Sequence, residues 1–202
     1  LLQIITPVGK PTEVPIAERT PLPPPEVILS ADAVYQAGAL LVSVTGEITE
    51  GSVTALGRTI PLSKGAQSLY TFVPVDTDAP VGIQPLRIDF TTRNGSTGTV
   101  EESFEVLATE WTQDYLEFTE EEVTNLLDPV VTEQELAMLR GVYSKVTPEK
   151  LWEGPWLIPV DAVVTGRFGE ERSVNGGPMS GHHSGTDFGA SLGTPVLATN
   201  SG

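Results

Sequence analysis

No cysteine occurs in the 202 residues, which excludes disulfides, thiolate zinc sites and cysteine nucleophiles. That absence does not by itself choose a compartment. Basic residues are scarce: 11 Lys and Arg stand against 27 Asp and Glu, for a net charge of −16. A chain so acidic lacks the surplus cations that neutralise phosphates, which makes it a poor candidate for nucleic acid and equally for an anionic membrane surface. No apolar run approaches the roughly 20 residues of a transmembrane helix. Aromatic residues make up only 6% of the chain and hydrophobic residues 39%, enough for a core but not a rich one. What is abundant is glycine (20) and proline (17), a bias towards turns and short strands. The length suits one large domain or two modest ones, at about 100–200 residues per domain.

The chain starts at Leu1 rather than Met, and Leu1-Leu2-Gln3-Ile4-Ile5 is too short for a signal-peptide core. A signal or anchor lost upstream is one reading, and an arbitrary boundary is the other. Charge is spread unevenly. Residues 1–105 hold 12 acids and 6 bases, residues 106–153 hold 11 and 3, and residues 154–202 hold 4 and 2. The composition divides the chain into a Pro-rich extended lead (1–26), a β-rich unit (27–106), an acidic helical linker (107–153) and a glycine-rich C-terminal unit (154–202). The lead, with Pro21 and then Pro23, Pro24 and Pro25, favours polyproline conformation and forms no core of its own.

Between residues 27 and 106, short apolar runs alternate with turn signals. The strand candidates are Val27-Ile28-Leu29, Leu40-Leu41-Val42-Ser43-Val44, Val53-Thr54-Ala55-Leu56, Leu69-Tyr70-Thr71-Phe72-Val73, Pro85-Leu86-Arg87-Ile88-Asp89-Phe90 and Ser103-Phe104-Glu105-Val106. Leu86, Ile88 and Phe90 fall on one face of their strand, Arg87 and Asp89 on the other. Asn94-Gly95 reads as a tight hairpin turn in which both central residues take positive φ. About seven short strands at this spacing predict a β-sandwich. Asp76 and Asp78 suggest a metal site or a solvated loop beside Pro80, and the loop accounts for them. This unit carries no catalytic constellation and reads as a binding, spacing or positioning module.

The middle segment is the clearly helical one. Thr119-Glu120-Glu121-Glu122 and Thr132-Glu133-Gln134-Glu135 both read as capping boxes, with staples from Phe118 to Val123 and from Val131 to Leu136. Asp128-Pro129 ends the first helix, and Thr147-Pro148 starts a third short turn. Acids at helix starts complement the macrodipole, which explains most of the local charge, Glu121 and Glu122 included.

Both histidines, His182 and His183, lie in the last forty residues with Asp187 just behind. Imidazole nitrogen and carboxylate oxygen suit zinc, at roughly 2.0–2.2 Å. In an extended strand, His183 and Asp187 would have Cα atoms roughly 13 Å apart, slightly too far for a shared ion. The run must therefore bend, and Gly185 is the residue placed to bend it and leave room. Two ligands do not make a zinc site, and a flexible Gly/Ser loop with two exposed histidines accounts for the same residues.

The order Phe168, Gly169 and Arg172, then Asn175 and Gly176, then His183, Gly185, Asp187 and Phe188, then Gly193-Thr194-Pro195-Val196, Ala198 and Gly202 resembles the start of a lysostaphin-type (LytM-like) zinc metallopeptidase domain. The likeness covers about a sixth of the chain. Residues 27–106 resemble, more loosely, the immunoglobulin-like modules that precede such domains in some bacterial envelope proteins. The resemblance implies a mainly β chain: an immunoglobulin-like β-sandwich, a short helical linker and the beginning of a β-rich peptidase domain.

It also implies zinc as cofactor, held by His183 and Asp187, with a third ligand and the water-polarising base drawn from a downstream His-x-His motif. The implied substrate is a peptide bond in the stem or cross-bridge of peptidoglycan, with other cell-wall proteins as partners of the β-sandwich. The implied location is extracellular or in the cell envelope. Asn175 is a candidate for contact with substrate, or else a turn residue with Gly176 and Gly177; His182 matches no family ligand. The chain departs from the family pattern in having no His-x-His. A truncated, inactive piece of a cell-wall metalloendopeptidase is therefore expected. A degenerate relative that binds or activates a wall hydrolase, and a structural envelope protein, are the alternatives.

Overall fold

The computed structural model describes residues 22–126, 128–145, 147, 150–179 and 181–201. Most of the Pro-rich lead, Pro148 of the expected third turn and the motif's Gly202 lie outside the described residues. The described protein is mainly β, with thirteen strands and two helices.

Nine strands build the first part: β1 Glu26–Leu29, β2 Ala33–Tyr35, β3 Ala39–Thr45, β4 Ile48–Ala55, β5 Arg58–Pro61, β6 Ser63–Lys64, β7 Leu69–Pro74, β8 Gly82–Thr92 and β9 Thr97–Leu107. They form a four-stranded sheet in the order β1-β3-β7-β6 and a five-stranded sheet in the order β2-β9-β8-β4-β5. Alternation drives this arrangement. Leu40, Val42 and Val44 of β3 point one way from their sheet, and Val53, Ala55, Leu86, Ile88, Phe104 and Val106 point back from the other. All join one cluster with Val73, so the two sheets close on a shared core. β8 is central in its sheet, with Ile88 paired to Val53 on one side and Val100 on the other.

All six expected runs fall on strands, save that Leu56 lies in the turn after β4, and three short strands, β2, β5 and β6, were not among those expected. The turn expected at Asn94-Gly95 is a hairpin of another kind. Gly95 takes positive φ (81°) but Asn94 does not. Gly95 N–H donates to the Thr92 carbonyl, and Thr92 N–H donates to the Ser96 carbonyl. This is the three-residue loop with glycine at its left-handed position. The two-residue turn with both φ positive is instead Leu56-Gly57 (49° and 74°), between β4 and β5. Leu56 packs its side chain against the core, which offsets the cost of a left-handed non-glycine residue.

On the outer face of β8, Arg87 and Asp89 are two residues apart and so lie side by side. The Arg87 guanidinium donates to both Asp89 oxygens, from Nε at 3.1 and 2.9 Å and from Nη2 at 2.8 Å, and Thr99 Oγ1 donates to Oδ1 at 2.6 Å. The Arg87 bonds first, then the Thr99 bond, lower the Asp89 pKa to about 2. A folded pKa below the unfolded one means the contribution is present above the ordinary carboxylate range, near 3.9, and is lost as pH falls through about 2. The pair is exposed, so salt should weaken it and its effect on stability should be small. An NMR titration should give the Asp89 carboxyl a midpoint near 2; a midpoint at or above about 3.9 would show that the Arg87 and Thr99 contacts do not form in solution.

The later strands are β10 Gln113–Leu116, β11 Val163–Gly166, β12 Glu171–Val174 and β13 Asp187–Gly189, and the helices are α1 Glu120–Leu126 and α2 Pro129–Tyr143. The first capping box forms as expected. Glu122 carboxylate accepts from Thr119 N–H (2.8 Å) and Thr119 hydroxyl (2.9 Å), while Thr119 Oγ1 accepts from Glu122 N–H (3.2 Å). The second expected box does not start a helix. Asp128 caps α2 by accepting from Val130 and Val131 N–H, with Pro129 at the first position, so Thr132 already lies inside. Proline preset for the first turn, behind an Asp cap, wins over a threonine three residues on.

The middle segment is not helical throughout. Its β10 pairs in parallel with β12, Asp114 opposite Arg172. β11 and β13 form a second two-stranded sheet, antiparallel, with Gly166 opposite Asp187. These two small sheets carry the residues of chemical interest.

Candidate metal centre

The turn between β11 and β12 holds both histidines through its backbone. His183 Nδ1 lies 3.0 Å from the Arg167 carbonyl oxygen, and His182 Nδ1 lies 2.8 Å from that of Gly169. Main-chain bonds close the turn onto the histidine run: Gly169 N–H donates to the His183 carbonyl and His183 N–H to that of Glu170. Gly169 has φ +87°, and a Cβ there would stand 2.1 Å from the Trp111 ring. Glycine is required on both counts. Trp111 also packs against His182, ring centroids 4.9 Å apart.

His183 is buried, and its Nε2 faces Asp187 Oδ1 at 3.2 Å. A carbonyl can only accept, so Nδ1 carries the ring's proton towards Arg167. In a neutral ring Nε2 is then a lone pair facing a carboxylate oxygen, and a proton shared between the two, or a metal ion bound by both, makes the contact favourable. Two donors at about 2.0–2.1 Å from a tetrahedral zinc would stand about 3.3 Å apart, close to the observed spacing. The two residues thus fit as ligands. Among the described residues, however, no group of three or more His, Asp or Glu side chains gathers to hold a metal. Two donors are present where catalytic zinc sites use three.

The chain does bend between His183 and Asp187, and Gly185 lies in the bend. Its φ is not in the left-handed region, and an added Cβ would meet His183 Nε2 at an ordinary 3.8 Å. Gly185 therefore keeps the space beside Nε2 open rather than supplying a special backbone angle. The glycine that the pair cannot do without is Gly166. A Cβ there would stand 2.7 Å from Asp187 Oδ2 and 3.3 Å from His183 Cε1, so bare backbone forms the floor of the site. Sequence reasoning passed over Gly166; a glycine ending a valine-rich strand just before the Phe-Gly turn was the available signal.

Asp187 Oδ2 is also 3.2 Å from Arg172 Nη2. The same guanidinium places Nε 3.3 Å from Asp114 Oδ2. That second contact is close enough for charge attraction but poorly aligned, since Arg172 Nε is buried without a hydrogen bond. Asp114 and Trp111 gave no signal in the sequence, because nothing local ties residues 111–116 to a run sixty to seventy residues later.

Asn175 sits at the end of β12 with φ +50°, a conformation asparagine tolerates well. Its Oδ1 accepts from Phe118 N–H at 2.7 Å and its N–H donates to the Leu116 carbonyl. These bonds hold the end of β10 to β12. Asp76 and Asp78 lie on a loop where the Asp76 carboxylate accepts from Arg58 at 2.6 and 3.2 Å. That loop and Phe168, His182, His183 and Ser184 line one cleft of about 490 Å³, so His183 opens onto space shared with the β-rich unit. A larger hollow of about 790 Å³ beside Arg87 and Asp89 touches neither histidine.

No known family matches the chain when it is scanned against family models, and no curated protein matches it.

Proposed function

We propose that this chain carries the zinc-binding half of a peptidoglycan-cleaving metalloendopeptidase. The observation behind the reading is the pair of facing acceptors, His183 Nε2 and Asp187 Oδ1 at 3.2 Å, with Nδ1 tied to a backbone carbonyl. A bound zinc would act as a Lewis acid on the scissile carbonyl and lower the pKa of its water. His183, held in one tautomer by Arg167, and Asp187 are its ligands. Gly166 leaves them room, and the cleft beside Phe168 and Ser184 takes the peptide of a stem or cross-bridge. Asn175 has its Oδ1 held by Phe118 N–H, and its exposed amide nitrogen is the atom it would offer to substrate.

In this reading the two-sheet unit is an immunoglobulin-like module that positions the protein in the cell envelope, with other wall proteins as its partners. The reading also needs a third ligand and a base; His182, the chain's other histidine, packs against Trp111 and is not gathered with His183 and Asp187 into a group of three among the described residues. That only two donors come together among the described residues also favours a second reading, a non-catalytic relative that binds or activates a wall hydrolase.

One experiment separates them. The 202-residue chain should release no soluble fragments from purified peptidoglycan, since bound water lacks a base and a complete ligand set. A longer product of the same gene that carries His-x-His should release them, and a chelator should stop it. Cleavage by the 202-residue chain would overturn the ligand count; none by the longer product would favour the binding reading.

A further inference from the structure

We infer that Arg172 is a positioning residue for the metal ligand Asp187, and that Asp114 holds Arg172 in turn, so that β10 belongs to the metal centre. The inference rests on the zinc reading above and adds residues that reading does not name.

Asp187 is poorly restrained by its surroundings. Its side chain is 54% exposed, against 9% for His183, and the floor under it is the bare backbone of Gly166. A half-exposed carboxylate turns freely unless something holds it, and each turn removes Oδ1 from its place opposite Nε2. The restraint is on the second oxygen: Arg172 Nη2, 3.2 Å from Oδ2. The guanidinium therefore takes one oxygen and leaves the other for the metal, fixing Asp187 as a one-oxygen ligand. Ligating carboxylates are commonly held this way by an outer partner.

Arg172 is itself anchored. It is only 27% exposed, it lies on β12, and the parallel register of β10 and β12 sets it opposite Asp114. The Asp114 carboxylate, 3.3 Å from Nε, balances a guanidinium that would otherwise repel a nearby metal ion. The line Asp114, Arg172, Asp187 and His183 thus joins the two small sheets, and the residues just before the helices reach the ligands through it.

The test measures binding of Zn²⁺ and Co²⁺ to the 202-residue chain by calorimetry, with the visible absorption of the Co²⁺ form reporting geometry. Arg172→Ala should weaken binding about 10–100-fold and change the Co²⁺ spectrum. Asp114→Asn, equal in size and uncharged, should give a smaller loss in the same direction. Arg172→Gln serves if the alanine variant fails to fold. A purely structural role would lower the unfolding temperature while leaving affinity and spectrum of the folded chain unchanged; that result, or tighter binding once the positive charge is gone, overturns the inference while leaving the zinc reading intact. If the unaltered chain binds neither ion, the zinc reading falls and this one with it.

Discussion

Alanine in place of His183 or Asp187 is expected to abolish zinc retention, whereas alanine in place of His182 should leave it. With one of two donors gone, the remaining group cannot hold the ion against water, and in a longer product with His-x-His wall hydrolysis should vanish as well. The two variants should differ in their effect on folding. His183 is buried, and its loss removes the 3.0 Å bond to the Arg167 carbonyl, which keeps only the longer one from Glu170 N–H at 3.3 Å, at a cost of about 0.5–1.5 kcal/mol for the bond. Asp187 is half-exposed, so its removal should take the metal with much less effect on thermal unfolding. His182→Ala loses the bond to Gly169 and the contact with Trp111, and should cost about 1–2 kcal/mol while zinc stays bound. Metal analysis beside thermal unfolding reads all three. If His182→Ala strips the metal and His183→Ala keeps it, the ligand register is wrong. If neither matters, the segment is a glycine-rich loop and nothing more.

The largest loss of stability is expected from Ile88→Ala. Ile88 is fully buried on the central strand β8, facing the core with Leu86 on its own strand and Leu40, Val42 and Val44 from the opposite sheet. Removing most of its side chain forfeits its transfer free energy and leaves a cavity between two sheets that cannot easily close, about 2–5 kcal/mol. Ile88→Val, which removes one methylene, should cost about 0.5–1.5 kcal/mol. Denaturant unfolding of both variants gives the comparison. Equal midpoints for the two would mean that the sheets collapse onto the gap and the core is less tightly packed than its burial implies. Zinc binding should not change in either variant, because none of the ligands or their holders belongs to this core.

Strand positions were legible wherever a period of two was strong, as in Leu40-Val42-Val44 and Leu86-Ile88. They were not where pairing rather than pattern makes the strand: β5, Arg58–Pro61, exists because Leu56-Gly57 turns the chain back onto β4. The Asn94-Gly95 turn was visible but its geometry was not, since a hairpin's loop length depends on the register of the strands it joins. Helix starts were only partly readable. Thr119 caps as its sequence suggests, while Thr132 is overruled by Asp128-Pro129, a competition that single motifs do not disclose.

For the candidate centre, the amino-acid sequence alone determined which donors exist. With no cysteine and two histidines, and an aspartate four residues on, His183 and Asp187 were the available pair, with Gly185 between them. Only the tertiary structure decided how that pair is held. It set a carbonyl at His183 Nδ1, brought the backbone of Gly166 under the carboxylate, and carried Arg172 to its second oxygen with Asp114 behind the guanidinium. The physical reason is separation along the chain. Local spacing dictates what four or five residues can reach among themselves, but contacts between segments fifteen to nearly sixty residues apart arise from turn closure and sheet register, which are settled by the fold as a whole.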